Sequence, residues 1–142
     1  MKKQTQELIE MMKSASSYGE YREANRGELS QSFVRIDEAL SELLNGKGLK
    51  KPDVIKASGL ETHYGYQIFS GVKTPTRDKV LAICIGMKLS AEETQQLLKV
   101  TGYPQLYGKN ERDNAILFGL TKGIGHDDVN ILLYDLGLAP LE

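Results

Sequence analysis

Apolar residues in this chain recur at spacings of three and four, and no stretch sustains the alternation of a half-buried strand. The spacing predicts an all-α fold. Residues 3–14 form a short amphipathic helix with Leu8, Ile9, Met11 and Met12 clustered, and 14–28 read as a polar linker or frayed helix. A stronger helix is expected from Ser30, through Phe33, Ile36, Leu40, Leu43 and Leu44, to a stop at Asn45-Gly46. Pro52 suits the first turn of the next helix, which ends at Gly59, and another covers roughly 62–70 before Gly71. Thr76 caps a helix bearing Val80, Leu81, Ile83, Cys84 and Met87. Ser90 and Glu93 have the spacing of a capping box and open a helix carrying Leu97 and Leu98 before Gly102. Two last helices fit 111–122 and 126–136.

The last third repeats itself at an offset of 35 residues. Arg77-Asp78 matches Arg112-Asp113, Leu97-Leu98 matches Leu132-Leu133, Gly102 matches Gly137 and Leu106 matches Leu141. Each unit reads as helix, turn, helix, glycine stop and a returning apolar residue, so a helical hairpin is duplicated. The expected organisation is an N-terminal arm over 1–29, a helical domain over 30–106 and a C-terminal hairpin over 107–142 packed on it.

Charge sharpens this picture. Residues 1–46 carry six basic and eight acidic side chains, net -2, and 78–142 carry six and nine, net -3. Between them, residues 47–77 carry six basic against two acidic, net +4. A basic middle between acidic ends suggests a face that seeks an anion, the alternative being chance clustering on a solvated surface. With 142 residues and 40% apolar composition the chain has the size of one ordinary domain. Nothing approaches eighteen consecutive apolar residues, so no membrane span is expected. Lys2 and Lys3 run into Glu7 and Glu10 rather than an apolar stretch, so a cytoplasmic protein is expected. Cys84 has no cysteine to pair with, and His63 and His126 lie far apart, so neither disulfide nor metal site is expected. No phosphate-binding glycine loop, nucleophile elbow or carboxylate pair beside a histidine is present, so neither enzymatic activity nor a cofactor is expected.

Within 48–71, two short helices joined by a turn glycine, with Val54, Leu60 and Ile68 to hold them together, fit a helix-turn-helix. Over about residues 40–100 the sequence resembles the lambda-repressor-like, or Xre-type, helix-turn-helix proteins. Gly48-Leu49, the turn pair Gly59-Leu60, Ile68, Gly71 and Pro75 match that family's pattern without a gap, as does the run LAICIGMKLSAEETQQLL. The departures are specific. Leu44 and Phe69 stand where the family often pairs Arg with Glu, which suggests a hydrophobic contact in place of an ion pair. Gly65 and Ser58 stand where it buries apolar side chains, and Glu61 opens the second helix. Tyr64, Tyr66 or an aromatic from the N-terminal arm is expected to fill the space at Gly65.

The resemblance implies a transcriptional regulator that binds double-stranded DNA as a homodimer. By correspondence Thr62, His63, Tyr66 and Gln67 face the bases, while Lys47, Lys50, Lys51, Lys73, Thr74 and Arg77 hold phosphates. Chemically, Gln67 can donate and accept in the plane of an adenine edge, and ends of helices are where backbone contacts sit. The bland reading of Tyr64 and Tyr66 is packing, and of His63 and the lysines a solvated surface. The competing class is a non-enzymatic protein-interaction module, with the aromatic cluster Tyr64-Tyr66-Phe69 or the C-terminal hairpins as its partner surface.

Overall fold

The computed structural model describes residues 4–25 and 33–142, and every described regular element is a helix. The chain divides into two compact units at Phe33/Val34. The first unit contains α1 (Thr5–Ser14) and α2 (Tyr18–Ala24). The segment expected as a polar linker or frayed helix holds a two-turn helix, started by Ser17, whose hydroxyl accepts the Glu20 amide at 3.1 Å. Tyr21 is its buried residue.

The second unit contains α3 (Ile36–Gly46), α4 (Lys51–Ala57), α5 (Thr62–Ser70), α6 (Arg77–Gly86), α7 (Ala91–Thr101), α8 (Glu111–Lys122) and α9 (His126–Asp135). The helix expected from Ser30 starts only at Ile36. Phe33 is 69% exposed, outside the helix it was expected to join, and Ser30 lies outside the described residues. One continuous core runs through this unit, from Leu40 and Leu44 through Ile55, Ile68, Leu81 and Ile83 to Leu98, Ile116, Val129 and Leu133. Each such aliphatic side chain contributes about 1.5–3 kcal/mol by leaving water. α6 is the hub: Val80 to Ile85 are all buried, so no side of its middle faces solvent. It is therefore a helix of the interior, while α3, α5 and α7 each bury one face.

Caps fix where these helices begin and end. The Thr76 hydroxyl accepts the Lys79 amide, and Ser90 and Glu93 satisfy each other's backbone amides at 3.0 and 2.9 Å. Gly71 and Gly102 close α5 and α7 in the left-handed region, at φ 85° and 84°.

The duplication is visible as a reciprocal clasp. Arg77 of the first hairpin grips Asp113 of the second at 3.1 and 2.8 Å, and Arg112 of the second grips Asp78 of the first at 3.1 and 2.9 Å. Each guanidinium also binds two carbonyls 27 and 28 residues on: Pro104 and Gln105 for Arg77, Ala139 and Pro140 for Arg112. The side-chain oxygen of Gln95 accepts the Leu106 amide just as that of Asn130 accepts the Leu141 amide. Thus 77–106 and 112–141 repeat in space as well as in sequence, and the two copies are locked by side chains they share.

Candidate nucleic-acid interface

α4 and α5 are joined by a short turn whose shape depends on two small residues. Gly59 sits at φ 71°, which L side chains rarely adopt, and the His126 ring occupies the space its Cβ would need. Ser58 is fully buried. Its hydroxyl donates to the Val54 carbonyl at 2.6 Å, so the polar residue at an apolar place is satisfied locally. A Cβ on Gly86 of α6 would collide with that hydroxyl. The pair lets α4 and α6 approach closely.

α5 is oriented by its inner face. Gly65, Ile68 and Phe69 are buried. The space at Gly65 is filled by Ile55 of α4, whose Cγ2 lies 2.5 Å from where a Cβ would stand. This corrects the expectation that Tyr64, Tyr66 or an arm aromatic would fill it. The hole is matched by a branched aliphatic residue on the neighbouring helix. Leu44 and Phe69, the apolar replacements for an ion pair, are both buried in the common core.

The opposite face of α5 is open within its unit. Thr62, His63 and Tyr66 are exposed, Tyr66 by 40%, and Gln67 is half-buried. Tyr64 turns toward the core side, with the Lys79 ammonium 5.8 Å from its ring centre. The two tyrosines are thereby separated: one packs and one faces outward. At the start of α5, Glu61 accepts the amides of Tyr64 and His63 at 2.7 and 3.1 Å. These bonds, led by the one from Tyr64, hold its carboxyl below the usual range. Its negative charge is fixed at the helix N-terminus, where it neutralises the dipole.

The expected phosphate contacts separate into two sets. Lys50, at the start of α4, and Lys73 and Thr74, after α5, are exposed. Lys51 lies with its ammonium 5.7 Å from the Phe69 ring centre. Lys47, by contrast, is bound to Glu93 at 2.8 Å, and this pairing is the main reason Glu93 titrates below its ordinary range. Arg77 is turned away altogether: its Nε, Nη1 and Nη2 all donate to the C-terminal clasp. Arg77 is thereby engaged in the clasp and unavailable to a phosphate, while Lys47 is held by Glu93. Both partners come from far along the chain, so charge counting over 47–77 does not reveal them.

Sequence reasoning missed Arg35. It precedes α3, its side chain is 65% exposed, and it lies against the C-terminal end of α5. A basic residue before a helix carries no signal that it will reach another helix, which explains the omission. Elsewhere the described residues hold no group of three or more His, Cys, Asp or Glu side chains placed for a metal ion. Among them no helix is long and apolar enough to cross a membrane. Comparison with family models, curated proteins and solved structures returns no match, so the arrangement itself must carry any functional reading.

Proposed function

We propose that this chain is a non-enzymatic, Xre-type DNA-binding regulator that lays α5 in the major groove of double-stranded DNA. The observation that carries the reading is the open outer face of α5, with Thr62, His63, Tyr66 and Gln67 along it and Lys50, Lys51, Lys73 and Thr74 at its borders. Gln67 supplies an amide for an adenine edge, and Thr62 a hydroxyl and methyl. The three lysines neutralise phosphates and set the register. A helix of nine residues reaches only a few base pairs, so specificity calls for two copies on a two-fold site. Three phosphates neutralised per protomer give a salt slope near -3, about 0.9 ion for each.

The test is retention on duplex DNA as salt is raised. Wild-type protein is expected to be retained and then released over a narrow salt range, and the double variant Lys50→Glu/Lys51→Glu to pass through. Equal behaviour of the two proteins removes the reading.

A second reading, a protein-interaction module, is favoured by the outer side of the C-terminal hairpin. Phe118, Ile131 and Tyr134 are all exposed there. The first repeat has buried Ile83 at the position of Phe118, and polar Gln96 and Lys99 at those of Ile131 and Tyr134. On that reading Lys50 and Lys51 are dispensable and these three residues are not.

A further inference from the structure

The C-terminal end of α5 carries a cationic feature that the lysine set leaves unexplained. Gly71 closes the helix, and a Cβ there would stand 2.8 Å from both Arg35 Nη2 and Asp37 Oδ2. The Arg35 side chain is thus laid against the end of α5, where the helix dipole favours a positive charge. Asp37 holds only one edge of the guanidinium, accepting from Nε at 3.0 Å and from Nη2 at 3.3 Å. The Nη1 edge has no such bond to Asp37. Beside it the chain leaving α5 presents Lys73 and Thr74, both exposed.

These three side chains line one concavity of about 590 Å³. Gly71 and Gly102, which have no side chains, keep it open. Tyr103 forms one wall, held by the bond from its hydroxyl to the Pro75 carbonyl at 2.5 Å. Counting Arg35 and Lys73 against Asp37, the site is net positive by one charge. A guanidinium, an ammonium and a hydroxyl supplied by residues that line one hollow suit a tetrahedral oxyanion better than a carboxylate or a neutral ligand.

We propose that Arg35, Lys73 and Thr74 clamp a single phosphodiester of the DNA backbone next to the C-terminal end of α5. The inference rests on the reading of α5 as the groove-binding helix. It gives Arg77 a replacement from outside the helix pair, at the same end of α5 as Lys51, whose ammonium lies 5.7 Å from the Phe69 ring centre. Asp37 serves as the positioning residue, holding the fork by its Nε and Nη2 edge.

The test is fluorescence anisotropy with a short mixed-sequence duplex across a range of salt concentrations, for wild type, Arg35→Gln, Arg35→Gln/Lys73→Gln and Lys99→Gln. Lys99 is exposed on α7, does not line the concavity, and controls for net charge. The Arg35 side chain caps no amide of α3, so its replacement leaves that helix start intact. With Lys73 still on the same phosphodiester, Arg35→Gln is expected to weaken binding several-fold with little change in slope, whereas Arg35→Gln/Lys73→Gln is expected to make the salt slope shallower by about one, at roughly 0.9 ion per phosphate. Lys99→Gln is expected to match wild type.

Unchanged affinity for Arg35→Gln overturns the clamp while leaving the groove-binding reading in place, as does an equal loss from Lys99→Gln. If Arg35 only supports the end of α5, Arg35→Gln lowers the denaturation midpoint without changing the affinity of the folded protein, which also overturns it. Wild-type protein that shows no salt-sensitive binding overturns both proposals.

Discussion

Alanine at Gly65 puts a methyl group where Ile55 already stands. Two effects oppose each other. Alanine is the better helix former by about 1 kcal/mol, so on an isolated α5 the change stabilises. In the folded protein the new Cβ lies 2.5 Å from Ile55 Cγ2, 2.9 Å from Cγ1 and 3.1 Å from Cδ1. Carbon pairs rest at about 3.5–4.0 Å, so the overlap approaches 1 Å. Three atoms of one side chain crowd the site, so rotation of Ile55 cannot clear them all. α4 or α5 must shift, and overpacking of this kind costs typically 1–3 kcal/mol. Gly65→Ala is therefore expected to be destabilising by up to about 2 kcal/mol after the helix gain is deducted.

The decisive control is the same substitution in Ile55→Ala protein. Ile55→Ala alone leaves a cavity and costs about 2–5 kcal/mol. In that background the Gly65 methyl enters empty space, and Gly65→Ala is expected to stabilise by roughly 1 kcal/mol. The double-mutant cycle thus predicts a coupling of about 1–3 kcal/mol between the two sites, the overpacking cost itself. Urea denaturation followed by circular dichroism measures all four proteins. If Gly65→Ala raises the midpoint in the wild-type background, or has the same effect in both, the interlock of α4 with α5 is wrong.

Three further outcomes are expected. Gly59→Ala combines a left-handed alanine, at about 1–2 kcal/mol, with overlap on the His126 ring. Its cost in urea denaturation should shrink in a His126→Ala background, and a cost independent of residue 126 would refute the contact. Burial raises the Asp113 pKa, but the bonds from Arg77 and the Tyr107 amide together with the Arg77 charge outweigh it, so the carboxyl titrates below its ordinary value. A depressed acid contributes stability that is complete above its unfolded pKa, about 3.9, and is lost as pH falls through the folded value. Melting temperature should therefore drop steeply below about pH 4 and less steeply in Asp113→Asn, and parallel curves would contradict this. Burial pushes the Cys84 thiol up to about 12. Ellman's reagent should accordingly label native protein slowly at neutral pH and at once in denaturant, and rapid native labelling would place Cys84 at the surface.

Much of the fold was legible because its signals are local. Thr76, the Ser90–Glu93 box, Gly71 and Gly102 mark helix ends through bonds that span three to six residues, and each stands where the spacing put it. α2 was not legible: it has seven residues, a glycine at its second position and no apolar stripe to betray it. The filling of the Gly65 hole by Ile55 depends on how two helices cross, which no periodicity reports. The fate of Arg77 is a subtler case. The recurring Arg-Asp doublet at 77–78 and 112–113 does carry the signal, because two like doublets brought face to face pair crosswise. Recognising the repeat without pairing its charges left Arg77 in the phosphate set. The outward placement of Thr62, His63 and Tyr66 agrees with the resemblance, which sets them opposite the buried Ile68.

Whether α5 reads DNA is tested most directly by selecting bound duplexes from a random pool with the full chain at moderate salt. Groove reading by a pair of α5 helices predicts enrichment of two short half-sites related by a two-fold axis, about one helical turn apart. Gln67→Ala should relax the preference at one position of each half-site, while Lys73→Ala weakens all sequences alike. A pool that emerges unenriched while the protein remains folded would contradict the assignment of α5 to the groove.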